Sequence, residues 1–382
     1  MNERRPIKDA DDGWLATEFR PAATRCVLSE EEFHRMISLE RRRTERSHKP
    51  FLLVLLDMGD EVPANNGGGS LGKIRDVLSL ATRETDAVGW YKKGLVVGAM
   101  FTEIELDEKK QLFSPILTRV SSALQDSLGF EQFSQLSISF HWFPEEWQTG
   151  QRRRPNTPVL YPDLEKRDEA RKLFHTLKRT MDVLGSLAAL LLASPIFVCV
   201  ALAIKLTSKG PVLFRQERVG QYGVPFPLLK FRSMHCGNNN SQHKEYVWQL
   251  ISGVAERKPC NGNGQAVYKL TSDPRITAVG AFLRRTSMDE LPQFINVLKG
   301  EMSLVGPRPP LDYEVEKYAL WHRRRVMEAK PGITGLWQVN GRNRITFDDM
   351  VRLDLVYARS WSPWLDLKIL LRTPRAIVAG AH

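Results

Sequence analysis

The residues best equipped for chemistry in this 382-residue chain form one short stretch, Ser287-Met288-Asp289-Glu290. Ser-x-x-Glu is the spacing of a capping box, in which serine and glutamate satisfy each other's backbone donors at a helix start. Acidic residues are also favoured in a first helical turn, near the positive end of the helix dipole. The same geometry suits catalysis, because a helix N-terminus keeps a carboxylate ionised and draws a phosphate to its free amides. Capping and catalysis are compatible readings of one spacing. Adjacent helical residues diverge by about 100°, so the two carboxylates cannot share one task as a facing pair would. A division of labour between Asp289 and Glu290 follows.

Around this pair, basic residues recur beside glycine, proline and aromatic residues: LLKFRSM, TSDPRITAVGAFLRRTSMDELPQFINVLKGEMSLVGPRP and KPGITGLWQVNGRN. Such density reads as a site that handles phosphate. In Gly306-Pro307-Arg308-Pro309 the backbone is restricted on both sides of Arg308, which aims the guanidinium as recognition of a diphosphate requires. Each of these cations has an ordinary alternative as a solvated side chain, or as one covering apolar surface beside lipid headgroups.

Composition sets the frame. With 42% hydrophobic and 26% charged residues the chain is long enough for two cored domains. Lys plus Arg outnumber Asp plus Glu by 55 to 44, and the net charge of +11 favours anionic partners: phosphates, nucleotides, nucleic acid or an acidic lipid surface. The four cysteines, Cys26, Cys199, Cys236 and Cys260, show neither C-x-x-C spacing nor a His cluster, which supports neither a disulfide framework nor a zinc site and fits a reducing, cytosol-facing chain. The opening MNERRPIKDADDG is polar and lacks the apolar core of a secretory signal.

From Val183 to Ile204 the sequence runs for 22 residues without a charge, enough to cross a hydrocarbon layer of ~30 Å as a helix. Lys166, Arg167, Arg171, Lys172, Lys178 and Arg179 precede it and Lys205 and Lys209 follow, so both ends read as cytoplasmic. Ser194-Pro195 lies near the middle, where proline removes a donor and a serine hydroxyl can serve the freed carbonyl. These features predict a helix-break-helix hairpin dipping into one leaflet. A kinked spanning helix and a buried core helix are the alternatives.

The remaining elements place these features. Arg152 to Tyr161 is basic and proline-containing and reads as a linker. The pattern predicts four segments: an α/β unit over 1–150, a basic linker over 151–177, the membrane helix over 178–206 and the unit carrying the acidic pair over 207–382. In the first unit, helices are expected at Ser29–Arg46, Leu71–Glu84 and Lys109–Leu128. Strands are expected at Phe51–Leu56, Ala87–Tyr91, Leu95–Phe101 and Gln135–Trp142, giving a small α/β sandwich. Tyr318–Met327 and Trp361–Val378 mix Trp and aliphatic residues with Arg, as helices lying in the headgroup plane do. Packing against the core is the other reading.

Residues 178 to 381 resemble the bacterial sugar transferases, the monotopic polyprenyl-phosphate phosphoglycosyl transferases, through these long motifs in their order after a basic, Ser-Pro-broken apolar segment. The resemblance implies a re-entrant membrane helix and a mainly helical α+β catalytic domain. Asp289 would be the nucleophile, Glu290 would help to hold Mg²⁺, and Lys230, Arg232, Arg284, Arg308 and Arg342 match the family's basic site residues. Pro310 departs from members with an acidic or apolar residue there. The implied reaction moves a sugar 1-phosphate from a UDP-sugar to undecaprenyl phosphate, releases UMP and initiates a surface glycan such as an exopolysaccharide. Its implied place is the cytoplasmic face of the bacterial inner membrane. Asp289 would attack the phosphorus next to the sugar, and the lipid phosphate would then attack the acyl phosphate in a ping-pong scheme. Trp337 and Gln338 could meet a uracil, and Trp337 equally suits the core or an interface.

More weakly, residues 25 to 145 resemble a degenerate GGDEF-type domain through LLVLLDMGD and DAVGWYKKGLVVGAM. Where that family carries its acidic signature, this chain has Gly89 to Gly94 without an acidic residue, so cyclase chemistry is not expected and a regulatory or partner-binding role is. The rival readings are a membrane-associated nucleotide-sensing or signalling protein without transferase activity, and a nucleic-acid binder. The uncharged apolar segment argues against nucleic acid. Homo-oligomerisation is compatible with the sequence.

Overall fold

The computed structural model describes residues 27–57, 64–104, 109–128, 130–144, 157–164, 166, 172–235, 241–254, 258–259, 266–267, 275–341 and 345–380. It divides into two compact units, one of residues 1–36 with 49–140, the other of 37–48 with 141–382. Both mix helix and sheet.

In the first unit a four-stranded sheet has the order β2-β3-β1-β4, with β1 Phe51–Asp57, β2 Ala87–Lys92, β3 Val96–Phe101 and β4 Ser137–Phe143. FLLVLLD carries no alternation because it runs centrally, and its first six residues are buried, as a strand covered on both faces requires. It pairs antiparallel with β3, Leu52 opposite Phe101. Helices α1 Glu30–Ser47, α2 Ala64–Ala81 and α3 Lys109–Leu128 accompany the sheet. At Gly98 an added Cβ would fall 2.4 Å from the Phe33 ring, so α1 lies tight on β3. The short helix α4 Phe130–Ser134 precedes β4 in the chain, and α5 Thr157–Leu160 belongs to the second unit.

The second unit contains α6 Lys172–Thr207, the one described helix long and apolar enough to cross a membrane. Only 17% of its apolar window is buried, with Leu184, Leu191, Leu192, Val198, Leu202 and Leu206 each more than half exposed. A core helix of a water-soluble protein would hide this face. The expected break at Ser194-Pro195 is not a gap in the helix, which continues through Pro195. Ser194 Oγ donates to Leu191 O at 2.8 Å, the carbonyl that the missing Pro195 N–H leaves unserved, and the helical run survives.

An antiparallel hairpin follows, β5 Leu213–Val219 and β6 Pro225–Phe231, then α7 Ser241–Ile251 and the two-residue strands β7 Lys258–Pro259 and β8 Ala266–Val267. Next come α8 Ala278–Thr286, α9 Gln293–Lys299, β9 Ser303–Val305, α10 Asp312–Glu316 and α11 Leu320–Glu328. The chain ends in β10 Gly332–Thr334, α12 Leu336–Asn340, α13 Phe347–Ser360 and α14 Pro363–Gly380.

The interfacial reading of Tyr318–Met327 is corrected. His322, Arg325, Val326, Met327 and Glu328 of α11 are buried, and Tyr318 and Val326 share a core cluster with Val351 and Leu355. Its cations find acids inside the fold: Arg325 meets Asp354 at 2.7 Å and Arg324 meets Glu328 at 2.6 Å. In α14, by contrast, Ile369 is buried while Trp364, Leu367 and Leu371 are exposed at i, i+3 and i+7, an outward apolar stripe.

Candidate active site

Two segments bring the site together. Beyond β6 the chain runs beside the segment leading into α8: Thr277 N donates to Ser233 O at 3.1 Å and His235 N to Arg275 O at 2.9 Å. The approach is close enough that a Cβ on Gly280 would sit 2.0 Å from Ser233 O, which is why glycine stands there. Thr277 caps α8 through Gly280 N at 2.9 Å. The carboxylate pair at the far end of α8 is thereby set beside Lys230 on β6.

The link between α8 and α9 then decides what the pair is. Ser287 is left-handed at φ 56 and ψ 18, and its N–H returns to Arg284 and Leu283 carbonyls to close α8. Met288 to Glu290 form a single 3₁₀ turn, closed by Glu290 N to Ser287 O at 3.2 Å. The capping box therefore does not form: Ser287, left-handed where it closes α8 and leads into the turn, makes no side-chain cap. Beyond Pro292, fully buried Asn296 anchors α9 to β6. Its Oδ1 accepts from Leu229 N at 3.0 Å, and its Nδ2 donates to Pro227 O at 2.8 Å and Glu301 Oε2 at 2.6 Å.

Asp289 sits in the first turn of this 3₁₀ segment, and burial outweighs what a helix start would do for its charge. Burial pushes its carboxyl up to about 6, Lys230 and Arg284 oppose the shift, and the neighbouring Glu290 charge adds to it. Glu290 is more open, its side chain 37% exposed, and takes Lys230 Nζ at 3.1 Å. Arg284 is exposed on the last turn of α8. One carboxylate is buried and poised to titrate, and the other is cation-held and accessible.

Arg308 stands on a loop fixed by four successive carbonyls. Pro307 O accepts from Gly332 N at 2.8 Å, Arg308 O from Arg325 at 3.3 Å, Pro309 O from Arg218 at 3.0 Å and Pro310 O from Val219 N at 2.9 Å. Prolines supply no donors, so the loop is tied through its acceptors while the Arg308 side chain stays exposed. Arg218, buried and with its pKa lowered mainly by desolvation, feels Arg308 as a like charge and Glu290 as an opposite one, which puts the loop and the carboxylate in one neighbourhood. The sequence offered no signal for Arg218, because what buries it lies 91 residues away.

Other expected site residues go elsewhere. Arg232 is buried, and its guanidinium donates to Lys209 O at 2.8 Å, Ser208 O at 2.9 Å and Ser208 Oγ at 2.8 Å, tying down the chain that leaves α6. Arg342 lies outside the described residues. Trp337 is buried at 7% exposure, so its ring belongs to the core rather than to an open stacking surface, and Gln338 Nε2 donates to Ile333 O at 3.4 Å.

A magnesium ion fits this donor set in one way only. Among the described residues no cluster of three His, Cys, Asp or Glu side chains could cage a metal. Mg²⁺ is commonly held by one or two carboxylates plus substrate phosphates, and accessible Glu290 next to Asp289 offers that much.

Comparison with known proteins identifies the family. The model of the bacterial sugar transferase family matches residues 173–380, and the chain belongs to that family. Galactosyl transferase CpsE of Streptococcus agalactiae is 44% identical over 204 residues, 53% of this chain and 42% of that protein. The undecaprenyl-phosphate galactose phosphotransferase of Salmonella typhimurium is 44% identical over 210 residues, 55% of this chain and 42% of its own length. The exopolysaccharide production protein ExoY of Rhizobium meliloti is 37% identical over 228 residues, 59% of this chain and 95% of that protein. The chain thus spans less than half the length of the first two relatives and nearly all of ExoY.

Proposed function

We propose that this chain transfers a sugar 1-phosphate from a UDP-sugar to undecaprenyl phosphate and releases UMP, as the first membrane step of an exopolysaccharide or similar surface glycan. The observation that carries it is a buried carboxyl, Asp289, raised to about 6 beside the Lys230–Glu290 pair in a chain of this family. In the first half-reaction an ionised Asp289 oxygen attacks the sugar-bearing phosphorus, and the bond to the bridging oxygen breaks toward UMP. In the second, an oxygen of the lipid phosphate attacks the acyl phosphate and returns the Asp289 carboxylate. Lys230 and Arg284 supply positive charge beside Asp289, and Arg308 offers a guanidinium for the departing nucleotide's phosphate. Glu290 would hold Mg²⁺, whose contribution is to neutralise diphosphate charge.

Seating at the membrane follows from α6. Near its start Lys178 and Asp182 bind the unit that carries the site, Lys178 to Asp366 at 2.7 Å and Asp182 to Leu304 N at 2.9 Å. Near its end Val200 and Ile204 pack with Phe231 and Leu283 of that unit. Both ends dock on one body while the face between is apolar and exposed, which supports a re-entrant helix in the cytoplasmic leaflet over one that crosses. The exposed stripe of α14 would rest at the headgroups.

The test is intact-protein mass spectrometry with UDP-glucose or UDP-galactose and Mg²⁺, without lipid. A phosphosugar adduct on Asp289 and release of UMP are expected. Release of UDP, or no adduct with turnover intact, rejects the scheme. A signalling protein that merely docks on lipid would show neither adduct nor UMP.

A further inference from the structure

A cavity of about 330 Å³ opens at the foot of α6, and neither carboxylate of the pair nor Lys230, Arg284 or Arg308 lines it. Its wall includes His175, Arg179, Asp182, Tyr222, Lys330 and Trp361. Its charges do not cancel. Lys178, also on the wall, is matched by Asp366 at 2.7 Å, Tyr357 Oη at 3.1 Å and Val305 O at 3.2 Å. Arg179 gives two donors to backbone carbonyls, Val297 O at 2.6 Å and Leu298 O at 2.7 Å, so no carboxylate neutralises it there. Asp182 Oδ1 is occupied by Ser303 Oγ at 3.0 Å and Leu304 N, and Glu328 by Arg324.

Lys330 is left over: its ammonium meets no hydrogen bond or ion pair among the described residues. Burial lowers its pKa, Arg179 and Lys178 lower it further, and Asp182 only partly opposes them. An unpaired, half-buried cation next to a guanidinium is costly, and an anion in the cavity would remove that cost.

The other walls look built for a ligand as well. Trp361 lies parallel to His175, 6° between planes and 6.1 Å between centroids. Tyr222 holds φ 58, a left-handed conformation rare outside glycine that gathers at ligand clamps. On the same helix as His175 and Arg179, the side chains of Leu173, Phe174 and Leu177 are exposed, apolar surface beside a polar cavity.

We infer that this cavity is a second anion site, separate from the carboxylate pair, in which Lys330 and Arg179 bind a phosphate oxyanion. A phospholipid headgroup and free phosphate present the same chemistry. The test uses the full chain in detergent micelles at matched ionic strength and follows Lys330 acetylation by acetic anhydride with peptide mass spectrometry. One arm adds inorganic phosphate, one phosphatidylglycerol and one diacylglycerol as the lipid without phosphate. Slowing of Lys330 acetylation by about fivefold is expected with a phosphate-bearing additive near saturation, and none with diacylglycerol. Protection by phosphatidylglycerol alone identifies a lipid, by phosphate alone a free ion, and by both a site that reads the oxyanion itself. Rates unchanged in both phosphate arms overturn the inference. Lys330→Gln is expected to weaken phosphatidylglycerol binding, followed by native mass spectrometry, about tenfold, with Lys330→Arg retaining it. Where phosphatidylglycerol protects, equal binding of it by wild type and Lys330→Gln would equally overturn the inference.

Discussion

Asp289 and Asp354 are both raised to about 6 by burial, yet they should respond to substitution in opposite ways. Asp354 is matched by Arg325 at 2.7 Å with both side chains almost fully enclosed. Asp354→Asn strands a buried guanidinium and is expected to cost about 3–5 kcal/mol in chemical denaturation. Asp289 has no such match. Its folded pKa lies above the unfolded value of 3.8, so folding binds a proton and stability falls as pH rises from about 4 through about 6. Asp289→Asn should therefore raise stability by about 2 kcal/mol at pH 7.5, seen as a rise of several degrees in Tm, and change it little at pH 4. Transfer should drop at least about a thousandfold in the same variant, read as UMP release. In the wild type, kcat/KM should climb as pH increases through about 6, since only the ionised carboxylate attacks. A flat profile between pH 5 and 7 would contradict that role. At this scale the candidate residues Asp289, Glu290, Lys230, Arg284 and Arg308 could be picked out of the sequence, because all lie in dense basic motifs. It gave no sign that carbonyls at Ser208 and Lys209 hold Arg232 or that Arg218 is buried, because both are matters of packing.

Among the elements, the loop over residues 306–310 depends on a single atom's absence. A Cβ on Gly306 would lie 2.2 Å from Lys330 O and 2.9 Å from Gly332 N. Gly306→Ala is expected to cost about 1–3 kcal/mol, lower Tm, and reduce UMP release by displacing Arg308. Loss of activity without loss of stability would show that the loop gives way locally. Asn296→Ala leaves Leu229 N and Pro227 O buried without their partner and should cost about 2 kcal/mol in denaturant unfolding. Most helices and strands of the first unit were legible because apolar runs and helical periods are local, although α2 starts at Ala64 rather than the expected Leu71. Helix α11 was not, since a mixed Arg and Trp pattern looks the same at a headgroup as in a core that supplies Asp354 and Glu328. The proline in α6 was read as a break because its pattern does not reveal that Ser194 takes over Leu191 O.

For the molecule as a whole, the exposed face of α6 and the docking of both its ends make one joint prediction. Leu191→Lys with Leu192→Lys places two charges at side chains 67% and 82% exposed and should reduce co-flotation with liposomes several-fold while the unit still folds. Cysteines placed at Lys172 and Lys209 in a cysteine-free background should both react with a membrane-impermeant maleimide from the cytoplasmic side. Reaction of only one would mean that the helix crosses.

The packing of Val200 and Ile204 on Leu283 carries a consequence for altitude. Leu283 lies less than two turns of chain before Asp289, so the segment that would sink into lipid and the group that would receive the phosphosugar are coupled through one layer of side chains. The distance from reactive oxygen to hydrocarbon is thus an internal dimension of the protein, set by contacts within it. A thicker or thinner bilayer would float the whole assembly up or down while leaving that spacing unchanged.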